Sequence, residues 1–306
     1  MTAQASAWAV RTRAPVRSGT GPACRPAGTG GHRFPAPRPG ASARGRGCTT
    51  MGTVDDLPTR FAAARARRAD PARPELAATA LAAACCDVLA VDGAVVSVAG
   101  RDAWRLPVGA SDDAAAAAER WRFTVGQGPG GGDGAAEPLV VDADGLRTRW
   151  PALHDQLRRH TPFRSTVTLP LRLLLPGGAT GPGVLDLHLH RERPLAPPGP
   201  GAAPLDLGPA RRVAALVGAG LDATGAGATG AGAGEGHGEP DWMDAPTARA
   251  RQRVWMVISM AQQVLAVERA DALALLRATA YVQDRTLEDL AEDVVAGRTP
   301  LGSLRG

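Results

Sequence analysis

Hydrophobic and polar positions follow two different periods between residues 75 and 222. From Glu75 onward, small and apolar residues recur every three or four positions, which predicts a helix. Runs rich in β-forming residues follow at 94–99, 121–125, 139–141, 165–175 and 184–190. Helical spacing returns at 150–160 and 211–221. Helices interleaved with strands in this order predict an α+β fold, with an antiparallel sheet and helices on one side of it.

The last sixty or so residues contain three short amphipathic segments. They cover 247–265, 269–282 and 287–296. Each has apolar residues at helical spacing along one face. Thr286 and Asp289 are spaced like a capping box, which predicts where the third helix starts. Three helices of this length bury only a marginal core, so we expect this domain, at 245–300, to form a dimer.

A Gly-rich stretch at 223–240 predicts a flexible linker between a domain at 60–222 and the helical domain. Residues 1–50 hold eight Arg and no acidic residue, within a formal net charge of +5, so the rest of the chain is net acidic. The tail has the composition of a disordered segment. Because MGTVDDLPTRF reads like a normal start, we expect translation to begin at Met51 and residues 1–50 to be a wrongly assigned extension. The alternative is a genuine disordered arm.

Composition excludes several classes of protein. Every basic residue is Arg, so a phosphate-binding Walker motif, which requires Lys, is excluded. The four cysteines, Cys24, Cys48, Cys85 and Cys86, have no C-x-x-C spacing, which argues against a disulfide framework or a zinc site. No apolar run approaches the roughly 18 residues of a membrane span, and the N-terminus lacks the apolar core of a secretory signal. We therefore expect a cytoplasmic protein without a cofactor.

Three local patterns have both a functional and a structural interpretation. GQGPGG at 126–131 matches the dinucleotide-binding spacing, but no helix follows it, which favours a turn at the sheet edge. His188 and His190 share one face of a strand, but no third metal ligand is evident, which favours a polar strand face. Cys85 and Cys86 lie about 100° apart on a helix, which favours packing over redox sensing. No catalytic constellation is present, and we expect no enzyme activity.

The C-terminal segment carries a recognisable pattern at 254–298, which reads VWMVISMAQQVLAVERADALALLRATAYVQDRTLEDLAEDVVAGR. Its most specific parts are ADALALLRATAY at 270–281 and DRTLEDLAEDVV at 284–295. The pattern resembles the ANTAR domain, the RNA-binding module of bacterial transcription antitermination regulators. The resemblance implies a three-helix domain that acts as a homodimer on stem-loops of nascent transcripts.

Five short motifs follow one another in the central region. They are CCDVLAVDGAVVSVAG (85–100), GASDDAAAAAERWRFTVGQGP (109–129), RWP (149–151), PFRSTVTLPLRL (162–173) and GVLDLHLHR (183–191). Their order resembles a GAF domain of the sort that precedes ANTAR in actinobacterial regulators. The resemblance implies an antiparallel sheet with helices, which receives an unknown small-molecule or protein cue.

The ANTAR resemblance assigns RNA contact to the end of the second helix, the following turn and the facing part of the first helix. The residues concerned are Ser259, Arg277, Tyr281, Arg285 and Thr286. Arg suits phosphates, and Tyr281, the only Tyr of the chain, suits stacking on an unpaired base. The resemblance also assigns dimerisation to the first helix, through Val254, Val257, Ile258 and Ala261. Without the resemblance, Arg277 and Arg285 are interpreted as solvated and Tyr281 as the edge of the core.

Two positions depart from the ANTAR pattern, which often has Gly there. We expect Ser259 to add a side chain where helices pack closely, and Ala266 to end the first helix at positive φ without the ease of Gly. The third helix is also acidic on the side expected to be exposed, through Glu288, Asp289, Glu292 and Asp293. Such a helix argues against a helix-turn-helix DNA reader, and its acidic side is expected to face away from phosphate.

The sequence therefore predicts an RNA-binding transcription antitermination regulator with a GAF-like sensory domain, acting on hairpins as a dimer. The alternative, from a different class, is a GAF-type sensor or protein-interaction module whose helical domain only dimerises. Detection of RNA crosslinked to the protein in cells distinguishes the two.

Overall fold

A five-stranded antiparallel sheet lies at the centre of the fold. The structure is a computed structural model that describes residues 56–99, 105–130, 137–174, 180–190, 207–226 and 240–304. Its strands are β1 (Gly93–Ala99), β2 (Arg105–Ala110), β3 (Leu139–Val141), β4 (Ser165–Leu174) and β5 (Thr180–Leu189). They lie in the order β2-β1-β5-β4-β3, and all neighbouring pairs are antiparallel. The predicted α+β class is confirmed.

Nine α-helices are present in the described ranges. They are α1 (Leu57–Arg68), α2 (Ala77–Leu89), α3 (Asp113–Val125), α4 (Ala143–Arg149), α5 (Pro151–His160), α6 (Leu207–Ala226), α7 (Pro246–Leu265), α8 (Arg269–Val282) and α9 (Leu287–Val295). Below, the sheet domain is the part from α1 to α6, and the C-terminal bundle is α7 to α9 with the 3₁₀ turn Leu301–Leu304.

One face of the sheet carries the main hydrophobic core. Along β4, Val167 and Leu169 are fully buried on this face, whereas Thr168 between them lies on the other face, as the two-residue period of a strand requires. Helices α2 and α6 cover this core, and α1 packs against both of them. The contact between α6 and the sheet is close, since a Cβ added at Gly218 would lie 2.9 Å from the carbonyl oxygen of Arg172.

The second face of the sheet is covered by α3, α4 and α5, so helices lie on both faces and the prediction of helices on one side is wrong. The strand predicted at 121–125 is the end of α3. The Asp112 carboxylate caps this helix by accepting the Ala115 N–H, and a run of alanines favours its continuation. Gly126, at φ +71°, ends it. The aromatic and β-branched residues at its end, which suggested a strand, therefore continue the helix.

The edge strand β2 was not predicted from the sequence, because Pro107 and Gly109 both disfavour a strand. Proline is tolerated at an edge, where no partner needs its missing N–H. Glycine is required at 109, since a Cβ there would lie 2.3 Å from the Ala78 backbone of α2. The register between β1 and β2 shifts between Val96 and Ser97, which marks a bulge opposite these two residues.

The C-terminal bundle follows its predicted boundaries to within one residue. The capping box is confirmed: Thr286 Oγ1 accepts the Asp289 N–H, and the Asp289 carboxylate accepts the Thr286 N–H. The first residues of the linker predicted at 223–240 belong to α6, which extends to Ala226, and residues 227–239 lie outside the described ranges. Residues 1–50, predicted to be a tail, also lie outside them. No helix in the described ranges is both long and apolar enough to span a membrane.

Ala266 ends α7 at φ +52°, as its place in the pattern predicts. An L-residue with a Cβ is strained there by about 1–2 kcal/mol, whereas Gly is not. We expect Ala266→Gly to raise the free energy of unfolding by about 1 kcal/mol, measured by urea denaturation. The matched control is Ala274→Gly on the exposed face of α8, which should lower it by about 1 kcal/mol. Equal losses in both variants would contradict the strain at Ala266.

Candidate functional site

Arg251 of α7 is completely buried where the C-terminal bundle meets the sheet domain. Its Nε donates to the Glu288 carboxylate of α9 at 3.0 Å, and its Nη1 donates to the carbonyl oxygen of Arg105 at 2.8 Å. Its Nη2 lies 3.6 Å from the Glu119 carboxylate of α3. The guanidinium stacks on the Phe123 ring, 3.4 Å from the ring centroid. One buried cation therefore joins α3, β2, α7 and α9.

The two carboxylates around Arg251 differ in their electrostatics. Burial by itself raises the pKa of Glu119, but the attraction and hydrogen bonds of Arg122, with Arg251 and Arg105 nearby, lower that pKa to about 2. Burial raises the pKa of Glu288, and Arg251 only partly offsets this effect. Glu119 is thus firmly ionised, while the charge on Glu288 depends on Arg251.

Arg277, predicted to contact RNA, contacts α3 instead. Its Nε donates to the carbonyl oxygen of Phe123 at 3.0 Å, and its guanidinium lies 5.1 Å from the Phe123 ring centroid. Burial, together with repulsion from Arg251 and Arg122, lowers the pKa of Arg277 to about 10. In this conformation Arg277 therefore belongs to the interface between the bundle and the sheet domain.

The turn between α8 and α9 is held by two helices of the sheet domain. The backbone N–H of Leu287, at the start of α9, donates to the buried Thr124 hydroxyl of α3 at 2.8 Å. His160 at the end of α5 lies 3.2 Å from the Asp284 carboxylate of the turn, and it stacks on Trp121 with ring centroids 4.4 Å apart. The predicted RNA-contacting turn is thus anchored from two directions.

Arg285 and Thr286 also have partners within the chain. Arg285 Nη2 lies 2.6 Å from an Asp293 carboxylate oxygen and also donates to the backbone carbonyl of Asp289. Thr286 is buried, and its hydroxyl is used in the capping box with Asp289. Neither side chain is presented freely to a ligand in this conformation.

Tyr281 and Ser259 are the two predicted RNA contacts that face outward. Tyr281 is 41% exposed and lies one helical turn beyond Arg277 on the same side of α8. Ser259 is exposed, and its hydroxyl donates to the Trp255 carbonyl of its own helix. The expectation that Ser259 lies at a close helix–helix contact is therefore wrong. Glu288, expected on an exposed acidic side, is buried against Arg251.

The four residues predicted for dimerisation lie inside the bundle. Val254, Val257, Ile258 and Ala261 are each at most 1% exposed and pack against α8 and α9. This face of α7 is therefore used within the chain and is not available to a second copy. A different stripe of α7 is exposed instead: Met256, Met260 and Val264 are 53%, 38% and 56% exposed and follow one another at four-residue spacing.

A second buried ionic group lies on the face of the sheet that α3, α4 and α5 cover. Arg105 on β2 pairs with Asp186 on β5 at 3.0 Å, and Asp186 accepts the Thr168 hydroxyl at 2.5 Å. His188, next on the same face, is buried, neither of its ring nitrogens has a hydrogen-bond partner among the described residues, and it stacks on Phe163. Burial lowers the pKa of His188, so the neutral ring is favoured. Side chains fill this space, and the cavity left beside His188 is only about 20 Å³, room for about one water.

The remaining local patterns have structural roles in the described residues. GQGPGG begins where α3 ends, so it follows a helix and not the strand that a dinucleotide site requires. No group of three or more potential metal ligands occurs in the described ranges. Burial raises the pKa of Cys85 and brings that of Cys86 to about 11, so both thiols are poorly reactive.

Comparison with known proteins adds no assignment. No model of a protein family matches the chain. No curated protein matches it at a significant level either.

Sequence reasoning missed the residues that join the two parts of the chain. Arg251 lies outside every motif, and Glu119 and Thr124 lie inside the motif at 109–129, which assigned them no role. One signal was present: Arg251 lies three positions before Val254, on the stripe of α7 that was predicted to be buried. A charged residue on such a stripe indicates a buried ionic partner, though not which one.

Proposed function

We propose that the chain is an RNA-binding transcription antitermination regulator, with a GAF-like sheet domain that controls an ANTAR-like C-terminal bundle. The sequence pattern at 254–298 supports the proposal. So does the match between that pattern and three helices with a capping box at Thr286. The exposed ring of Tyr281 supplies a surface on which an unpaired base can stack.

The observation that carries the regulatory part of the proposal is the anchoring of the α8–α9 turn by α3 and α5. Hydrogen bonds from Arg277 to Phe123, and from Leu287 to Thr124, cover the face where the resemblance puts RNA. The form described here is then a resting form with low RNA affinity. RNA binding requires the bundle to separate from α3. Separation frees the Arg277 side chain, and the turn between α8 and α9 stays intact. A cue acts by changing the balance between the docked and undocked forms.

The proposed active form is a homodimer. The predicted dimer residues are buried, so the support comes from the exposed stripe of Met256, Met260 and Val264 on α7. An apolar stripe at four-residue spacing on a helix is suited to pairing with the same stripe of a second copy. Light scattering should give a dimer for the RNA-bound protein, and a monomer both free and with RNA would contradict this part of the proposal.

Tyr281→Ala tests the RNA contact. Loss of one stacked base weakens binding by about 1–3 kcal/mol, so affinity should fall roughly tenfold to a hundredfold. The measurement is filter binding to the RNA recovered by crosslinking in cells. Tyr281→Phe keeps the stacking surface and should bind normally. Val282→Ala, at the 83% exposed neighbour, is the matched control. Failure to recover any RNA, or equal binding by Tyr281→Ala, would contradict the proposal.

The alternative is a sensor or interaction module whose bundle only dimerises. It is favoured by one observation, since Arg277, Arg285 and Thr286 all have partners within the chain. The crosslinking experiment separates the two functions, because a bundle that only dimerises recovers no specific RNA.

A further inference from the structure

A cavity of about 250 Å³ lies between the sheet domain and the C-terminal bundle, and it shares only Glu119 with the lining of the small space beside His188. Its walls come from β1, β2 and α3 on one side and from α7 and α9 on the other. Apolar surface is supplied by Val95, Pro107 and Ala250 among others. It is large enough for a small organic molecule, and its walls belong to both parts of the chain.

Hydrogen-bond donors without partners lie around this cavity. Arg120 of α3 and Arg253 of α7 line it from opposite sides, and the buried Nε of each finds no partner among the described residues. The buried hydroxyl of Thr247, also in the lining, has none either. The lining also holds one unpartnered buried acceptor, the second carboxylate oxygen of Glu288. Buried polar groups are normally hydrogen-bonded, so three unpartnered donors against one acceptor indicate an absent acceptor.

Two of the three acidic residues of the lining are already paired with arginines that do not line the cavity. Glu119 is paired with Arg122 at 2.6 Å, and Glu288 is paired with Arg251. Asp113, in the first turn of α3, is the third acid of the lining, and Arg253 Nη2 lies 3.9 Å from the exposed Glu292 carboxylate. Counting these partners, four arginines face four acids, so an anion is favoured by the unpartnered donors and not by a surplus of positive charge.

The start of α7 adds further donors at the same cavity. Pro246 and Thr247, its first two residues, line the cavity, and no side chain caps this 20-residue helix. Pro246 has no N–H and the Arg249 N–H donates to the Ala245 carbonyl, so the N–H groups of Thr247 and Ala248, together with the positive dipole end, favour a negative charge nearby. The two arginines, the Thr247 hydroxyl and this helix end thus act in the same direction.

We infer that this cavity binds a small organic anion, whose acidic group is held between Arg120 and Arg253 and whose apolar part lies against β1 and β2. The inference rests on the proposed function in one respect: an anion bound to both walls stabilises the docked form and thereby lowers RNA affinity. Binding itself does not depend on RNA and is measured without it.

The experiment uses the full chain and three small phenyl probes: benzoate, phenyl phosphate and neutral benzamide, which matches benzoate in size. Titration at millimolar concentration, followed by protein NMR, should show saturable shifts of Thr247 and Ala250 with at least one of the two anions and not with benzamide. The anion that binds with the higher affinity shows whether the site prefers a carboxylate or a phosphate. Equal binding of benzamide, or no saturable binding of either anion, would overturn the inference.

Two kinds of variant locate the site. Arg120→Gln should weaken anion binding roughly tenfold, whereas Arg249→Gln, at an exposed arginine paired with Asp244, should not. Ala250→Met fills the cavity without changing its charge and should block binding, with Ala274→Met on the exposed face of α8 as its control. Binding that survives both Arg120→Gln and Ala250→Met would place the anion elsewhere and overturn the assignment. If the protein binds the anion but binds no RNA, only the proposed function is contradicted.

Discussion

Replacing Arg251 with Met is expected to lower the free energy of unfolding by about 3–5 kcal/mol, because it leaves the buried Glu288 carboxylate without its cation. Met keeps most of the volume and its contact with the Phe123 ring, so the loss reports the charge and not a cavity. Chemical denaturation measures it. The matched control is Arg249→Met, two positions earlier on α7 and exposed, which should change stability by less than about 0.5 kcal/mol.

The double variant Arg251→Met with Glu288→Gln identifies the cause. Because Gln carries no charge, the double variant should recover a large part of the stability that the single variant loses.

The loss of stability in the single variant should also depend on pH. In the single variant the pKa of Glu288, already raised by burial, rises further. The folded state then binds the proton more tightly than the unfolded state, so the loss is large at neutral pH and shrinks as the pH falls toward the usual pKa of a glutamate. A double variant no better than the single one would contradict this explanation.

Replacing Thr124 with Val is expected to increase RNA affinity about tenfold or more. Val has nearly the same shape but no hydroxyl, so the Leu287 N–H is left without an acceptor in the docked form, at a cost of about 1–3 kcal/mol. In the undocked form water satisfies the same N–H. The change therefore raises the undocked fraction, and apparent affinity rises in proportion to it. Filter binding to the recovered RNA measures the effect.

Hydrogen exchange separates docking from RNA binding in this test. The backbone amides at the start of α9 should exchange faster in Thr124→Val. The control is Thr279→Val on α8, whose hydroxyl donates only to the Leu275 carbonyl of its own helix. Faster exchange without higher RNA affinity would contradict the idea that docking covers the RNA surface. Unchanged exchange would show that the Thr124 hydroxyl does not hold the turn.

The bundle packs against the sheet domain closely enough that the two share part of a core. All described residues from 56 to 304 belong to one compact unit. Phe123 of α3 is part of the bundle's own hydrophobic core, and Arg251 and Arg277 both lie over its ring. One aromatic side chain of the sheet domain thus completes a core that three short helices fill only in part. The incomplete core that led us to expect a dimer is completed, in this form, from within the chain.

The sequence by itself determined the local elements. The bounds of α7, α8 and α9, the capping box at Thr286 and the strand pattern of β4 and β5 were all predictable. Periodicity and capping depend on interactions between residues only two to four positions apart, and those interactions can be read directly from the chain. The positive φ of Ala266 was expected from the ANTAR resemblance, in which Gly often stands at this position.

Only the tertiary structure decided what each buried face packs against. The stripe of Val254 and Ile258 was correctly predicted to be apolar, but a periodic pattern gives a face without naming its partner, and the partner is the chain's own bundle. In the same way Arg277 contacts Phe123, more than 150 positions earlier, and is only partly exposed to solvent. Contacts between residues so far apart leave no periodic signal in the sequence, because they depend on how completed elements dock.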